Sequence, residues 1–198
     1  MEKWLHQITL EGALVKLEPL ERKHNQALMN AAADGNLWDL WYTAIPTHET
    51  VDAYIDKALK EYEEDKSLPF VVIDKKTDRI VGTTRYMNAT PAHKRLEIGS
   101  TWYAKSAQRT GINTACKYLL LKYAFEELHC IAVEFRTHWH NTPSRNAIAR
   151  LGAKQDGVLR SHQIGPDGTL RDTVVFSITQ SEWSVTKMGL EFKMRKNS

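Results

Sequence analysis

The chain changes from a strand pattern to a helix pattern within one stretch, which reads Trp102-Tyr103-Ala104-Lys105-Ser106-Ala107-Gln108-Arg109-Thr110-Gly111-Ile112-Asn113-Thr114-Ala115. A helix that opens after a polar, glycine-containing turn presents unpaired backbone N–H groups and the positive end of its dipole. The stretch therefore predicts a site for an anion such as a phosphate or pyrophosphate. By itself, such a turn is more often an ordinary loop, so the rest of the chain decides its meaning.

The residues on both sides of this turn have clear periodicity. Downstream, one apolar stripe predicts an amphipathic helix and contains Ile112, Ala115, Cys116, Leu119, Leu120, Tyr123 and Ala124. Its predicted polar side carries Lys117, Lys122, Glu126 and Glu127. Upstream, residues 95–103 predict a strand with Leu96, Ile98, Ser100 and Trp102 on one face and Glu97, Gly99, Thr101 and Tyr103 on the other. Gly99 leaves room on the face of Glu97 for a close approach or a bulge.

The remaining elements alternate between strand and helix patterns. Strands are predicted at 8–20 with a bend at Gly12, at 69–73, 80–86 and 131–137, and in a hairpin of 158–164 and 172–179 around the turn 165–168. Helices are predicted at 21–33, at 49–64 and from 142 to 151, with Thr142 as the cap and Pro143 in the first helical position. A helix joins strands 95–103 and 131–137, so these two should be parallel neighbours.

The totals indicate one globular domain over residues 1–198, since 42% of residues are hydrophobic and 26% are charged. No apolar run is long enough to cross a bilayer and residues 1–6 lack a signal-peptide pattern, so we expect a cytoplasmic protein that does not enter membranes. Cys116 and Cys130 are interpreted as core residues. A net charge of +3 without a basic stripe argues against direct nucleic-acid binding, and the basic residues 193–196 are interpreted as a solvated terminus.

Two segments have competing interpretations. The aromatic run 37–42 is either a hydrophobic cover over the core or the wall of a substrate pocket formed by Trp38, Trp41 and Tyr42. The run His138-Trp139-His140 lacks an evident third ligand, so it is interpreted as a loop and no metal is expected.

The order of these motifs resembles the GNAT acyltransferase superfamily, and in particular its RimJ/RimL-type N-acetyltransferase branch, over nearly the whole chain. The family pattern Gln/Arg-x-x-Gly-x-Gly/Ala is matched by residues 108–113, although Asn113 replaces the second small residue. The other motifs that carry the resemblance are Glu97 on its strand, Tyr123-Ala124-Phe125, Asn141-x-x-Ser144, Leu151-Gly152-Ala153, Gly157-Val158-Leu159-Arg160, Arg171-Asp172 and Glu182-Trp183. The resemblance implies an α/β (α+β) fold with a mixed, mostly antiparallel central sheet flanked by helices.

The resemblance also implies acetyl-CoA as the co-substrate. Its pyrophosphate is expected on the turn formed by Gln108, Arg109, Thr110, Gly111, Ile112, Asn113 and Thr114, and its pantetheine arm beside Trp102, Tyr103 and Ala104. Asn141 and Ser144 match family residues that hydrogen-bond the pantetheine near the sulfur. Without the resemblance, Asn141 would be interpreted as a turn residue with no ligand.

For catalysis, the resemblance makes Glu97 the candidate base, with a solvent-facing strand glutamate as the alternative. A backbone N–H near Trp102 would polarise the thioester carbonyl. Many family members use a tyrosine at this point of the helix to protonate the leaving thiolate, and this sequence has Ile148 there. Ser144, or a water that it holds, is then left to protonate the thiolate. His162 and Gln163 are less favoured alternatives, and His162 is also expected on the acceptor side. Asp39, Glu49 and Glu97 could attract a cationic acceptor.

The sequence thus predicts an N-acetyltransferase that transfers acetyl directly, in a ternary complex, to a primary amine. The amine is either a protein N-terminus, such as that of a ribosomal protein, or a small molecule, and a homodimer is an alternative to a monomer. Two other hypotheses remain. A non-catalytic acyl-CoA sensor would bind CoA without turnover, and the isoleucine at position 148 in place of the family's tyrosine supports it. A protein-interaction domain would use residues 38–42 as its surface.

Overall fold

A computed structural model describes residues 3–165 and 167–196; Met1, Glu2, Pro166, Asn197 and Ser198 lie outside the described residues. The strands are β1 (Leu10–Glu11), β2 (Val15–Pro19), β3 (Leu68–Asp74), β4 (Arg79–Thr90), β5 (Arg95–Tyr103), β6 (Ala132–His138), β7 (Lys154–Ile164) and β8 (Leu170–Thr179). The α-helices are α1 (Asn25–Ala33), α2 (Val51–Glu63), α3 (Ile112–Lys122), α4 (Thr142–Leu151) and α5 (Trp183–Lys196). A π-helical turn, Tyr123–Glu127, continues α3.

The strands form a mixed, mostly antiparallel sheet in the order β1-β2-β3-β4-β5-β6-β8-β7. The pair β5–β6 is parallel, because α3 carries the chain back to the starting edge, and the other neighbouring pairs are antiparallel. The predicted fold class and the predicted parallel pair are therefore confirmed.

The parallel pair is short, and this shapes the site. β5 and β6 are in register only at Arg95↔Ala132, Leu96↔Val133 and Glu97↔Glu134. Beyond Glu97, β5 continues to Tyr103 and β6 to His138 without pairing with each other. The two strands therefore enclose a wedge, which we define as the gap between residues 98–103 and 135–138, and their facing backbone groups have no partner strand there.

The helices lie on both sides of the sheet. α1 packs on β4 and α2 on β3, whereas α3 contacts β2, and α4 contacts β6 and β8. Arg85 of β4 bonds Glu61 of α2, so its side of the sheet is called the α1/α2 face. Lys117 of α3 bonds Thr101 of β5 from the other side, which is called the α3 face.

A bulge in β5 corrects the predicted alternation. Thr83 of β4 pairs with Trp102 of β5, and Arg85 pairs with Gly99. One residue separates the pair on β4 but two separate the pair on β5, so β5 contains an extra residue. Ser100 lies within this segment and has a left-handed φ of 45°. As a result, Trp102 lies on the α1/α2 face, the same face as Glu97, and its indole Nε1 donates to the Tyr54 hydroxyl at 3.4 Å. The prediction that Trp102 shares the face of Leu96 and Ile98 is wrong.

Lys117 is a second correction, because it does not lie on a solvated helix face. Its side chain is buried, and the ammonium donates to Thr101 Oγ1 at 2.6 Å and to Thr84 Oγ1 at 3.2 Å. Burial lowers the pKa of Lys117 from 10.5 to about 8. The long aliphatic stem lets this residue reach sheet hydroxyls from the core side of the helix. Cys116 and Cys130 are buried, as predicted for core residues.

Several helix boundaries differ from the predictions, and at α4 a side-chain cap sets the start. A 3₁₀ turn, Arg22–His24, precedes α1, and Thr50 is the N-cap of α2, which starts at Val51. Asn141, and not Thr142, caps α4, since its side chain accepts the backbone N–H of Ser144.

Helix α5 was not predicted, and its burial pattern explains why. Trp183 and Leu190 are buried, whereas the apolar residues Val185, Met188 and Phe192 are exposed. Apolar residues on both the buried and the exposed side leave no single apolar stripe in the sequence, and the basic residues 193–196 belong to the last turn of the helix. No helix in residues 3–165 and 167–196 has the length and apolarity that a membrane crossing requires.

Gly82 lets β4 and β5 approach closely at the bulge. A Cβ on Gly82 would lie 2.2 Å from the Trp102 carbonyl oxygen and 3.0 Å from Tyr103 Cα. We expect Gly82→Ala to lower the free energy of unfolding by about 2–3 kcal/mol, because backbone atoms cannot move aside cheaply. Urea denaturation measures this loss. Gly157→Ala is the matched control, since nothing lies within 4 Å of its Cβ position, and an equal loss in both variants would contradict the explanation.

Candidate active site

The turn before α3 has the geometry of an anion cradle. Gly111 is the N-cap residue with a φ of 90°, and Arg109 also has a positive φ of 64°. No side chain caps this helix, and its first turn contains no acidic residue. The first N–H groups of α3 are therefore available, and the helix dipole favours a negative guest.

Side-chain bonds fix this turn to its surroundings. The Gln108 amide donates to the Tyr103 carbonyl at 3.0 Å, and the Thr110 hydroxyl donates to the Ala107 carbonyl at 2.6 Å. The Asp34 carboxylate, just after α1, accepts the Ser106 N–H at 3.0 Å and also the Ser106 hydroxyl, which lowers the pKa of Asp34. The turn is thus tied both to the end of β5 and to the start of the aromatic loop 37–42.

Glu97 lies at the closed end of the wedge and is buried, so the alternative of a solvent-facing strand glutamate does not hold. Its Oε2 accepts Asn88 Nδ2 at 2.8 Å and lies 3.6 Å from Arg136 Nε. A Cβ on Gly99 would lie 2.9 Å from Glu97 Oε1, so the glycine makes room for the carboxylate, as its position suggested. Burial raises the pKa of Glu97 above 4.5, and the Asn88 bond and the Arg136 charge oppose that rise.

Charged side chains around Glu97 form a cluster that the sequence analysis missed. Glu134 accepts Arg95 Nη2 at 2.7 Å and Arg136 Nη2 at 2.9 Å. Burial raises the pKa of Glu134, but the bonds from the two arginines outweigh it and hold this pKa below 4.5. A cavity of about 130 Å³ opens here, lined by Asn88, Thr90, Arg95, Leu96, Glu97, Glu134 and Arg136. The sequence signal was the pair Glu134 and Arg136, which alternates with buried apolar residues on β6.

The aromatic loop places the ring of Trp38 against the core and the ring of Trp41 at the end of β6. Trp38 is half-buried and packs against the core, which fits a hydrophobic cover. Trp41 is 68% exposed, and its ring lies edge-on to Tyr42 at 5.5 Å and to His138 at 5.1 Å between centroids. The interpretation as a hydrophobic cover therefore fits Trp38, and the interpretation as a pocket wall stays a prediction for Trp41 and Tyr42.

A second cavity, of about 280 Å³, adjoins the end of β6 and is lined by His138, Trp139, His140, Arg160, Ser161, Leu170 and Asp172. The pKa of His138 is lowered by burial and by the charges of Arg171 and His140. His162 is exposed on β7, and its Nδ1 lies 3.1 Å from Thr173 Oγ1. Among residues 3–165 and 167–196, no group of three or more His, Cys, Asp or Glu side chains could hold a metal ion.

The residues at the start of α4 have a structural role of their own. Asn141 Oδ1 accepts the Ser144 N–H at 3.1 Å, which closes the first turn of the helix. Ser144 is half-buried next to it, and Ile148, where the family resemblance would lead one to expect a tyrosine, is buried. The Asn141 cap uses the side-chain oxygen and leaves its amide N–H₂ free to donate.

The structure brings most of the predicted site residues around one wedge. Trp102, Tyr103 and Ala104 end its β5 side and lead to the turn 108–114. Glu97 closes the wedge, and α4 follows β6 at its other side. Asp39 and Glu49 are exposed, and the Glu49 carboxylate accepts the Thr47 hydroxyl, so neither has a structural link to the wedge.

Known proteins resemble this chain in sequence or in fold. YdaF of Bacillus subtilis, a candidate ribosomal N-acetyltransferase, is 32% identical over 108 residues, which are 54% of this chain and 58% of YdaF. A GCN5-related N-acetyltransferase from Brucella melitensis is 32% identical, with a TM-score of 0.86 over 96% of this chain and 86% of that one. RimJ from Mycobacterium smegmatis, crystallised with CoA-disulfide, has the same fold, with 24% identity and a TM-score of 0.79 over 94% of this chain and 95% of that one.

These likenesses agree with the RimJ/RimL-type branch that the motifs resemble, although the chain spans less than two thirds of the length of the curated relatives that it matches. The model of the acetyltransferase (GNAT) domain family matches residues 15–154. The chain therefore belongs to the GNAT family of acyltransferases, which use acetyl-CoA.

Proposed function

We propose that this protein is an N-acetyltransferase that transfers the acetyl group of acetyl-CoA directly to a primary amine. The observation that carries the proposal is the wedge itself, which starts at the buried carboxylate of Glu97 at its closed end and leads along 98–103 to the uncapped N-terminus of α3. One opening thus joins a candidate base, free strand edges and an anion cradle.

The cofactor would follow the length of this opening. Its pyrophosphate would lie on the N–H groups of residues 108–114, and its pantetheine would add as a short strand to the edge at Trp102, Tyr103 and Ala104. The free amide of Asn141 and the hydroxyl of Ser144 would hold the pantetheine from the α4 side. Acetyl-CoA supplies the thioester on which the transfer depends.

Each proton of the transfer has a candidate group. The amine must be neutral to attack the carbonyl carbon, and Glu97, directly or through a water, would accept the proton that the amine loses. A backbone N–H of β5 near Trp102 would stabilise the negative charge on the carbonyl oxygen. The departing thiolate would take its proton from Ser144 or from a water held there, because Ile148 has no acidic proton to give.

The acceptor remains a protein N-terminus or a small amine in this proposal. An α-amine with a pKa near 7.7–8.0 is about one tenth neutral at pH 7, whereas a lysine amine near 10.4 is neutral in less than about one molecule in a thousand. A weakly basic Glu97 is sufficient for the former. The exposed ring of Trp41 and the side chain of Tyr42 would form a wall of the acceptor pocket.

The hydrogen bond from Asn88 sets the pH range in which Glu97 is a base. This bond favours the carboxylate and so lowers the pKa of Glu97. Asn88→Gly removes the donor and suits the left-handed φ of 49° at this position. The pKa of Glu97 should rise, and the acid limb of kcat/KM should move to higher pH. The part of the pH profile that reports titration of the amine should stay in place and serves as the internal reference. If the part assigned to Glu97 also stays in place, the role of Glu97 as the base is contradicted.

Initial-rate kinetics test the function as a whole. Thiol release from acetyl-CoA is followed with an α-amino acid, a peptide N-terminus, a polyamine and a lysine side chain as acceptors. Transfer within a ternary complex predicts intersecting double-reciprocal lines, and parallel lines would exclude it. An acyl-CoA sensor predicts binding of acetyl-CoA with no thiol release for any amine.

A further inference from the structure

Arg171 lies on the same face of the sheet as Glu97. Thr173 of β8 is in register with His138, and Glu134 of β6 is in register with Glu97. Because side chains alternate along a strand, Glu134 and His138 share a face, and so do Thr173 and Arg171. All of these therefore face the α1/α2 side. The charge of Arg171 influences the pKa of both Glu97 and His138, which agrees with its place on this face.

Arg171 differs from its neighbours in having no anionic partner in contact. Arg95 and Arg136 share the carboxylate of Glu134, and Arg160 is paired with Asp172. Arg171 makes no side-chain hydrogen bond or salt bridge with any residue in 3–165 and 167–196, and its Nε is buried without an acceptor. Burial lowers its pKa, and the charge of Glu97 offsets only part of this.

The local charge balance also favours a negative guest. Around the wedge, the two carboxylates of Glu97 and Glu134 face the three guanidinium groups of Arg95, Arg136 and Arg171. An unpaired, partly buried guanidinium is costly unless a ligand supplies the missing acceptor. A carboxylate does so best, since it can take two parallel hydrogen bonds from a guanidinium.

We propose that Arg171 binds a carboxylate of the acceptor, so that the substrate is an amine carrying a carboxylate a few bonds from its nitrogen. This inference rests on the proposed acetyltransferase function. The carboxylate at Arg171 would direct the neighbouring amine toward Glu97, which lies on the same face. The carboxylate belongs either to a free amino acid or to an acidic first residue of a peptide.

Matched acceptor pairs test the proposal. We compare kcat/KM for a free amino acid and its primary amide, and for peptides that begin with Asp or with Asn. The amide removes the carboxylate and also lowers the pKa of the amine, so reactivity alone would favour the amide. We expect the wild type to prefer the carboxylate member of at least one pair by about 10- to 100-fold, the range for a charged hydrogen bond. The preferred pair identifies the source of the carboxylate.

Variants then assign the preference to Arg171. Arg171→Met should reduce kcat/KM of the carboxylate acceptor to or below that of its neutral partner and leave acetyl-CoA affinity unchanged, while Arg171→Lys should keep part of the preference. Arg150→Met is the matched control, because this arginine is exposed on α4 away from the cluster. Melting temperatures establish that each variant is folded.

Three results would overturn the proposal in distinguishable ways. A wild type that prefers the neutral amide over the free amino acid and accepts the Asp and Asn peptides equally would exclude carboxylate recognition but retain the acetyltransferase. An equal loss for acid and amide in Arg171→Met would show a structural role for the residue. Binding of acetyl-CoA without transfer to any amine would remove the proposed function itself, and this inference with it.

Discussion

Gly111→Trp should abolish measurable acetyl-CoA binding while the protein stays folded. The indole would occupy the space in front of the uncapped N–H groups of α3, where the pyrophosphate is proposed to lie. Loss of two charge-assisted hydrogen bonds, at about 1.5–3 kcal/mol each, weakens affinity by at least about 100-fold. Isothermal titration calorimetry measures the change directly.

The control for this variant is Gly111→Ala. Both substitutions place a side chain at a φ of 90°, which costs about 1–2 kcal/mol in any residue with a Cβ. Only tryptophan adds bulk, so Gly111→Ala should retain most of the affinity. If a folded Gly111→Trp protein binds acetyl-CoA as tightly as the wild type, the pyrophosphate does not lie on this turn.

Glu97→Gln should reduce kcat by about 10²- to 10⁴-fold for a strongly basic amine, the usual contribution of a general base. The reduction should be smaller for an α-amine, because more of it is already neutral at pH 7. Glutamine has the size of glutamate and can still accept the bond from Asn88, so the packing around Gly99 is kept. Steady-state kinetics with the two amine classes measure both effects.

Acetyl-CoA affinity is the control for Glu97→Gln, since the carboxylate lies at the closed end of the wedge and not on the phosphate turn. An unchanged affinity with a reduced kcat assigns Glu97 to the chemical step. An unchanged kcat would show that the amine loses its proton to another group. The sensor hypothesis predicts no turnover in either protein, and loss of Glu97 would then leave acetyl-CoA binding unchanged.

Local sequence patterns predicted most of the framework. The bounds of β5 were predicted correctly because its alternating residues are followed by a polar turn, and the parallel pairing with β6 followed from the intervening helix. Gly99 was also interpreted correctly, since a glycine two residues after a buried carboxylate leaves space that no other residue leaves. Such features depend on residues close together in the chain.

Features that depend on distant residues were not predicted. The extra residue in β5 changes which face Trp102 occupies, and it arises from the register with β4, which no local pattern encodes. Lys117 was assigned to solvent because its partners, Thr84 and Thr101, lie on other elements. The charge of Arg171 reaches Glu97 only because β8 pairs with β6. In the sequence, the only sign of this charged cluster was the presence of charged residues within strand patterns. Which of these residues lie together became evident only from the pairing of the strands.

The central claim is that this wedge supports acetyl transfer to an amine. Its most direct test is mass spectrometry of the products after incubation of the protein with acetyl-CoA and an α-amino acid. The account predicts that acetylated amine and free CoA form in equal amounts, at a rate far above the uncatalysed one and strongly reduced in Glu97→Gln. A folded protein that binds acetyl-CoA but forms no acetylated product from any α-amine or small amine would contradict it.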